Sequence, residues 1–293
     1  MAPDDPTPIS CTPAGVLFVI GTPIGNLKDI TYRAVETLRE VDFVACEDTR
    51  RSSKLLAAYD IQKKLVSYHE HNKFVRGTSI VERILGGERC GLLSDAGTPT
   101  VSDPGYRLIH MALEKGIEVI PIPGVSAPIT ALSASGLPSD AFAFLGYLPK
   151  KPEAKTQLFR RLLPETRTLI AFDSPLRIRD SLEALVAVMG DRHLAVAREL
   201  TKIHEEILRG TAEEVLVELN TRPTIKGEVT LLIAGRRGSL LELERAELSI
   251  AQLYVLLREE IGMSRMDAMK AIARERGRSK QEIYAELLAG EKS

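Results

Sequence analysis

The chain has 293 residues, of which 39 are Lys or Arg and 40 are Asp or Glu, so the formal net charge is −1. Hydrophobic residues make up 44% and charged residues 27%, a balance typical of folded globular domains and not of disordered chains. This length predicts about two domains. The near-zero charge argues against a protein that coats nucleic acid through bulk positive charge, although it is compatible with local basic patches.

The N-terminal segment 1–13 is rich in proline and acidic where a signal peptide would be basic and then apolar, so we expect a disordered tail. Apolar runs such as Val16–Ile20 are far shorter than the roughly 20 residues that span a bilayer. Cys11, Cys46 and Cys90 lack paired or metal-type spacing, and the last two lie in apolar runs typical of buried positions. We therefore expect a cytoplasmic protein without a membrane anchor or a metal site.

The first α/β domain is predicted over residues 14–137, where short apolar runs alternate with amphipathic segments. The predicted strands are Val16–Ile20, Phe43–Cys46, Lys64–Ser67, Cys90–Leu93 and Glu118–Ile122, and the predicted helices are Thr31–Val41, Ser52–Tyr59, Ser79–Leu85 and Tyr106–Lys115. This alternation predicts a mostly parallel sheet with helices on both faces.

A second α/β domain is predicted over residues 138–238, after a junction at Gly136–Lys155 that is rich in glycine and proline. Its predicted strands are Thr168–Phe172, Leu194–Arg198 and Glu228–Ala234, and its predicted helices are Leu176–Met189 and Ala212–Leu219. Residues 239–293 show only helical patterns, so we expect a small helical extension with the helices Ile250–Ile261, Arg265–Arg276 and Lys280–Leu288.

Glycine and proline cluster directly after three of the predicted strands, at Gly21–Asn26, Ser94–Pro99 and Pro121–Ala127. Ligands of open α/β sheets bind outside the carboxyl ends of the strands, so these loops predict one binding rim. The loops lack the glycine spacing of a dinucleotide fingerprint and the Gly-Lys-Ser/Thr ending of a P-loop. Neither NAD nor ATP is therefore favoured as a ligand.

Polar side chains accompany these loops. Glu47–Arg51 follows the second strand, although Asp48 or Thr49 in it would also serve as the N-cap of the next helix. Asp95 is a candidate acceptor for ribose hydroxyls or an ammonium group. A tight turn explains Ser102–Gly105. The charged run Arg198–Glu206 follows a strand of the second domain, and a solvated loop is its simpler interpretation.

Taken together and in this order, the loops resemble the tetrapyrrole-methylase superfamily, and within it the subgroup that methylates a cytidine ribose 2′-hydroxyl of small-subunit (16S) ribosomal RNA. The resemblance covers about Gly15 to Arg237, and each motif alone is weak. The motifs are Gly21–Leu27, Glu47–Arg50, Ser94–Pro99, Ser102–Gly105, Pro123–Ala127 and Glu199–Lys202.

The resemblance implies two α/β domains of the tetrapyrrole-methylase type, S-adenosylmethionine in the cleft between them, and a homodimer. Carried onto this chain, it implies cofactor-binding residues in both domains: Pro23, Asp95, Gly97, Thr98, Ser126, Ala127, Phe172, Leu200 and Thr230. The subgroup commonly has histidine where this chain has Leu176, so no role of that imidazole carries over.

Methyl transfer to a ribose oxygen is a displacement that needs alignment of the oxygen and removal of its proton. The candidate bases are Asp48, Glu47 and a Lys202 whose pKa is lowered. Arg50 would bind a phosphate or stabilise the alkoxide. We favour Asp48 and Arg50, because both follow a strand end beside the Gly21–Leu27 loop.

The expected substrate is small-subunit ribosomal RNA or the 30S subunit, whose target loop must be splayed out for a ribose to enter the cleft. The predicted RNA-binding residues are Arg50, Arg51, Lys150, Lys151, Lys155, Arg160 and Arg161. A second basic cluster lies between Ser264 and Lys280. Solvated helix faces are the alternative explanation of both clusters.

Two other functions remain open at this point. The same fold also serves methylation of a tetrapyrrole carbon or of a modified histidine on an elongation factor, but the Glu47–Arg50 motif and the helical extension favour neither. A non-enzymatic ribosome-assembly or RNA-binding protein that retains the fold is the alternative from a different class.

Overall fold

Five parallel strands form the first sheet of the computed structural model, which describes residues 15–70, 72–100, 105–236, 248–260 and 263–290. The strands are β1 (Val16–Ile20), β2 (Phe43–Cys46), β3 (Lys64–Ser67), β4 (Cys90–Leu93) and β5 (Glu118–Ile122), and the helices are α1 (Tyr32–Glu40), α2 (Thr49–Ala57), α3 (Lys73–Leu85), α4 (Gly105–Glu114) and α5 (Ala127–Ser135). Because helices cover both faces, β2 and β4 are buried along their whole length.

The strand order of this sheet is β3-β2-β4-β1-β5. The chain leaves β1 towards β2 and β3, returns to β4 beside β1, and then crosses to β5 on the other side. The loops after β1 and β4 therefore depart in opposite directions, which opens a crevice at the carboxyl ends of these two strands. Pro121 lies in β5, an edge strand, where the missing backbone N–H removes no bond from the sheet interior.

The second sheet is mixed and has the strand order β6-β7-β10-β8-β9. Its strands are β6 (Phe142–Tyr147), β7 (Thr168–Asp173), β8 (His193–Arg198), β9 (Glu206–Thr211) and β10 (Val229–Ile233), and its helices are α6 (Pro152–Arg161), α7 (Ile178–Met189) and α8 (Ala212–Asn220). Strands β6 and β7 are parallel, and the other neighbours are antiparallel. Ala131 and Leu132 of α5 pack against Ile170 and Leu232 of this sheet, so α5 covers the second sheet although it follows the first in the chain.

The described residues before Leu162, together with Arg167–Ala234, form one compact unit, and Leu162–Thr166 with the described residues after Ala234 form a second. The second unit contains α9 (Ile250–Val255), which continues as a π-helical turn over Leu256–Glu260, α10 (Arg265–Arg276) and α11 (Lys280–Gly290). These helices share a core of buried side chains: Ile250, Leu253, Leu257, Ala268, Ile272 and Ile283.

The α/β fold class is confirmed, and the five predicted strands of the first sheet have the observed bounds. Two strands and two helices were not predicted, namely β6, β9, α5 and α6. Cys46 and Cys90 are buried, as expected. Within the described residues, no helix is long and apolar enough to cross a membrane. The predicted tail 1–13, Cys11, most of the turn Ser102–Gly105 and residues 237–247 lie outside the described residues.

Glu206 of β9 fixes the edge of the second sheet through two arginines. Arg222 donates hydrogen bonds to it at 2.6 and 2.7 Å, and Arg198 donates one at 3.2 Å. The hydrogen bonds from Arg222 are the main reason why the pKa of Glu206 lies below its usual value. This half-buried cluster therefore stabilises the protein only while the carboxylate is ionised.

We expect Glu206→Gln to lower the free energy of unfolding by about 1–2 kcal/mol at pH 7, since it removes charge-assisted hydrogen bonds. The folded-state pKa is depressed, so the contribution is present above the ordinary value of about 4.3 and fades as pH falls through the folded-state value. Urea unfolding at pH 7 and at decreasing pH measures the difference. The exposed Glu36→Gln variant should stay within about 0.5 kcal/mol of the parent.

Candidate active site

A cavity of about 600 Å³ lies where the carboxyl ends of first-sheet strands face the second sheet. From the first half it is lined by residues of the loops after β1, β2, β4 and β5, among them Ile24, Glu47, Arg51, Asp95, Gly97, Thr98, Ser126 and Ala127. The second half contributes Tyr147, Phe172, Asp173, Ser174, Pro175, Ala197, Leu200, Glu228 and Thr230. A volume of this size accommodates a nucleoside-sized ligand.

The loops that line the cavity are bonded to one another. Thr22 and Gly97 exchange backbone hydrogen bonds of 2.9 and 3.1 Å, which joins the loop after β1 to the loop after β4. The Thr98 hydroxyl donates to the carbonyl of Val125 at 3.1 Å, which joins the loop after β4 to the loop after β5. A shift of one loop therefore displaces the others.

Gly21 and Gly124 allow two of these loops to touch through their backbones. A Cβ atom on Gly21 would lie 2.7 Å from Cα of Gly124, closer than carbon atoms approach in proteins. Gly25 approaches the second half in a similar way, since its Cβ would lie 2.5 Å from Cγ of Lys202. Gly21 thus reflects close packing of backbone against backbone, whereas the nearest atom to a Cβ on Gly25 belongs to a lysine side chain.

Asp95 is the acidic centre of the first half of the cavity. It accepts a hydrogen bond of 3.0 Å from the backbone N–H of Asp48 and forms an ion pair of 3.2 Å with Arg51. Its side chain is one quarter exposed, so it remains open to a ligand. Each carboxylate oxygen has more than one lone pair, so a part-exposed carboxylate is suited to accept further hydrogen bonds from hydroxyl groups.

The turn after β8 forms the opposite wall and is held in a strained conformation. Glu199 and Thr201 have φ angles of 51° and 66°, in the left-handed region that L residues rarely adopt. The Glu199 carboxylate accepts hydrogen bonds from the backbone N–H of Glu228 at 3.0 Å and from Nζ of Lys202 at 2.8 Å. These bonds stabilise the turn that presents Leu200 to the cavity.

Residues 16–216 match the family model described as Tetrapyrrole (Corrin/Porphyrin) Methylases. The chain belongs to the tetrapyrrole methylase family. A relative from Halalkalibacterium halodurans, named ribosomal RNA small subunit methyltransferase I, is 45% identical and aligns over 92% of this chain and 93% of its own length. A relative of the same name from Mesorhizobium japonicum is 44% identical over 93% of this chain and 91% of its own length.

Solved structures support the same fold. A crystal structure of diphthine synthase aligns with a TM-score of 0.60 and 18% identity over 78% of this chain and 94% of that chain. At this identity the likeness concerns the fold alone. The family match and the relatives at 44–45% identity confirm the resemblance inferred from the loops, and by family the chain is a methyltransferase.

Eight of the nine predicted cofactor residues line the cavity. Pro23 does not line it; it is half-buried, and its neighbour Ile24 faces the cavity instead. Ser126 precedes α5 without making a side-chain capping bond. Leu176, where the subgroup commonly has histidine, is 85% exposed and is absent from the lining.

Asp48 and Arg50 form an ion pair with each other. Arg50 donates to Asp48 through Nε at 3.1 Å and Nη2 at 2.8 Å, and Asp48 also caps α2 by accepting from the backbone N–H of Arg50. These hydrogen bonds from Arg50 hold the pKa of Asp48 far below its usual range. Neither residue lines the cavity, so the structure favours the capping interpretation of Asp48.

The expectation that the pKa of Lys202 is lowered is wrong. Burial alone would lower it, but hydrogen bonds and the charges of Glu199 and Glu228 outweigh burial and raise the pKa. Both carboxylates lie within 3.2 Å of Nζ. Lys202 is therefore a charged structural residue of the turn and is unsuited to accept a proton.

Lys155 was predicted to bind RNA, and this is wrong. Its side chain is 3% exposed, and Nζ donates a hydrogen bond of 2.6 Å to the hydroxyl of Ser181. An ammonium group enclosed in the protein cannot contact a phosphate. The other predicted RNA-binding residues are exposed: Arg50, Arg51, Lys150, Lys151, Arg160 and Arg161.

The structure also adds residues to the site. Glu47, considered above as a base, lines the cavity while Asp48 does not. Tyr147 lines the same cavity and belongs to β6, a strand that the sequence pattern did not predict. Burial, with the charges of Glu228 and Glu47, raises the pKa of Tyr147 above its usual value. The sequence signal that could have pointed to Tyr147 is its position as an aromatic residue directly before Leu148-Pro149, where regular structure breaks.

Proposed function

We propose that this methylase transfers a methyl group from S-adenosylmethionine to the ribose 2′-oxygen of a cytidine in small-subunit (16S) ribosomal RNA. The main support is the identity of 45% over 92% of the chain with a protein named ribosomal RNA small subunit methyltransferase I. The alignment spans 93% of that relative's length, so the similarity extends over both α/β halves and is not limited to one domain.

The cavity fits S-adenosylmethionine by volume and by charge. Its lining includes Glu47, Asp95 and Glu228 against one cation, Arg51, so it favours a ligand with positive charge. Asp95 accepts hydrogen bonds from ribose hydroxyls in this proposal, and Ser126 contributes a hydroxyl that is not engaged in capping. The apolar part of the lining, which includes Phe172 and Leu200, covers an aromatic or aliphatic portion of the cofactor.

When bound, S-adenosylmethionine supplies an electrophilic methyl group. The protein then has to hold the ribose oxygen in line with the methyl group and accept its proton. Alignment and a general base each accelerate the methyl transfer. In our proposal Glu47 accepts that proton, because it lines the cavity and Asp48 does not. Arg51, which lines the cavity and pairs with Asp95 at 3.2 Å, stabilises negative charge on the oxygen.

The RNA enters from the side of the exposed basic residues. Lys150 and Lys151 follow Tyr147 of the cavity by three and four positions, and Arg160 and Arg161 end α6. Eight helical residues, 152–159, lie between the two pairs and span about 12 Å along the helix axis, which is compatible with contacts to several phosphates of one strand. The proposal includes a homodimer in the cytoplasm and two α/β domains at 14–137 and 138–238.

Methyl transfer from radiolabelled S-adenosylmethionine to 16S RNA and to 30S subunits tests the function. Nuclease digestion and mass mapping should then find a ribose-methylated cytidine in the treated RNA. The Asp95→Asn variant should lose cofactor affinity in calorimetry, because an amide accepts fewer hydrogen bonds than a carboxylate. Asp60→Asn is the matched control, since Asp60 is exposed and asparagine tolerates its φ angle of 55°.

The outcomes separate the alternatives. Cofactor binding without transfer to any RNA or subunit would favour a ribosome-assembly protein. Methyl transfer to a tetrapyrrole or to a protein, with none to RNA, would mean that the proposed substrate is wrong and the proposed cofactor is right. No binding of S-adenosylmethionine would refute the assignment of the cavity.

We expect the double variant Lys150→Ala, Lys151→Ala to bind RNA with a weaker salt dependence. Each contact of a single strand contributes about 0.7 to the slope of log Kd against log salt, so the slope should fall by about 1.4. Fluorescence anisotropy at several salt concentrations measures it. The double variant Lys54→Ala, Lys115→Ala removes the same charge from other exposed positions and should keep the parent slope.

A further inference from the structure

Tyr147 is an exposed aromatic side chain that lines the cavity. It is 66% exposed although it belongs to a strand. Its ring centroid lies 5.3 Å from that of Phe172, which is also part of the lining, with an angle of 56° between the rings. One side of the tyrosine ring is thus supported by protein, while much of the ring is open to solvent.

A β-bulge sets this orientation. Phe144 pairs with Ile170 and Tyr147 pairs with Phe172, so β6 advances three residues while β7 advances two. In a regular strand, residues three apart point to opposite faces of the sheet. The extra residue turns Tyr147 onto the face that holds Phe144 and Phe172, and Gly146 with a φ angle of 69° permits the bend.

The supporting rings form a rigid cluster. Phe144 and Phe172 meet edge to face, with ring centroids 5.1 Å apart and an angle of 71°. Such pairs favour a fixed mutual orientation. Tyr147 therefore extends an ordered aromatic cluster and its ring position does not depend on a loop.

The surroundings indicate the kind of ligand that this ring meets. Exposed Lys150 and Lys151 follow within four positions along the chain and suit a ligand that bears phosphates. A planar ring beside cationic groups is the combination by which proteins hold unpaired nucleotides, through base stacking and phosphate contacts. The carboxylates of a tetrapyrrole or of a protein substrate could pair with the two lysines, but neither substrate has a single small ring that needs to stack on Tyr147.

We propose that Tyr147 stacks on the base of the nucleotide that is methylated and so holds its ribose in the cavity. The inference rests on the proposed function and deepens it, because it names a base-binding residue for the RNA substrate. Tyr147 contacts the substrate and takes no part in proton transfer.

Kinetics of Tyr147→Ala test this directly. One lost base stack should raise KM for RNA by roughly 5- to 150-fold, whereas Tyr147→Phe should stay near the parent value. Tyr147 also lines the cavity, so the Kd for S-adenosylmethionine is measured as well, and it should change far less than KM for RNA in either variant. Phe142→Ala is the matched control, since Phe142 is 38% exposed at the opposite end of the same strand. A parent-like KM for Tyr147→Ala would overturn the inference while leaving the function intact.

Fluorescence gives a second, independent readout, because the chain contains no tryptophan. In Tyr147→Trp the only indole would lie at the proposed stacking position, so RNA should quench its emission. An RNA that is abasic at the mapped cytidine should bind with less quenching. Phe142→Trp should respond to neither RNA. Equal responses of Tyr147→Trp to the intact and the abasic RNA would contradict base stacking, and absence of methyl transfer by the parent protein would contradict the proposed function instead.

Discussion

Gly21→Ala is expected to weaken binding of S-adenosylmethionine by about tenfold or more, which corresponds to about 1.4 kcal/mol. The added methyl group would lie 2.7 Å from Cα and 2.9 Å from N of Gly124. Both atoms belong to backbone, so no side chain can rotate away, and the loops after β1 and β5 must separate. Overpacking of this kind also lowers the free energy of unfolding by about 1–3 kcal/mol.

The effect should reach the cofactor residues because the loops are joined. The loop that contains Gly21 is bonded to Gly97 through Thr22, and Thr98 is bonded to Val125 beside Gly124. Gly97 and Thr98 line the cavity. Separation of the two outer loops therefore strains the loop that presents Asp95, even though Gly21 itself does not line the cavity.

Calorimetric titration with S-adenosylmethionine and urea unfolding measure the two effects. Gly136→Ala is the matched control, since Gly136 ends α5 with a φ angle of 76° and a Cβ there meets nothing within 4 Å. It should lose about 1–2 kcal/mol of stability through its backbone conformation but keep the parent affinity. Parent-like affinity of Gly21→Ala would show that the loops do not position the cofactor.

The central strands of the first sheet were predictable because they are largely buried. β1, β2 and β4 are runs of apolar residues bounded by polar or turn residues, and Val16–Ile20 is the plainest example. The binding rim followed from the same pattern, since loops at the carboxyl ends of parallel strands meet. No knowledge of distant contacts was needed for either step.

Strands β6 and β9 were missed for a physical reason. β9 is an edge strand that is mostly half-exposed and contains Glu206 and Arg209, so its composition resembles that of a charged loop. In β6 the bulge breaks the alternation that would have identified a strand. Tyr147 could not be assigned to the cavity without the register of that bulge.

A sequence does not show which of two adjacent acids faces the cavity, so it could not separate Glu47 from Asp48 as the base. Glu47 and Asp48 both follow β2, but the capping geometry of α2 turns Asp48 towards Arg50. Lys202 raised a related difficulty. The two carboxylates that keep it charged come from Glu199, three residues away, and from Glu228, which is 26 residues away.

Lys155→Met is expected to lower the free energy of unfolding by about 3 kcal/mol, because it removes a buried cation from a polar network. Lys155 donates to Ser181, Ser181 donates to Asp173, and the Asp173 side chain is fully buried. Arg177 is the other cation near this carboxylate, at 3.5 Å. Lys155 acts on this carboxylate through Ser181, so its loss leaves the bridging hydroxyl without a cation and Arg177 as the remaining positive charge beside Asp173.

The same network supports the cavity. Asp173 ends β7 and accepts a hydrogen bond of 2.8 Å from the backbone N–H of Ser174, and both residues belong to the lining. Loss of Lys155 should therefore also weaken cofactor binding, by less than Gly21→Ala does, because Arg177 still pairs with Asp173. The burial of Lys155 follows from its helix, since Lys155 and Phe159 lie four residues apart on the inner face of α6.

A double-mutant cycle separates the charge from the packing. Asp173→Asn removes the buried carboxylate, so the loss caused by Lys155→Met should shrink by about 1–3 kcal/mol in that background. Urea unfolding of the four proteins measures the coupling. Lys54→Met, at an exposed position of α2, should stay within about 0.5 kcal/mol of the parent. Additive losses in the cycle would mean that Lys155 stabilises the fold through its methylene chain and not through the charge of Asp173.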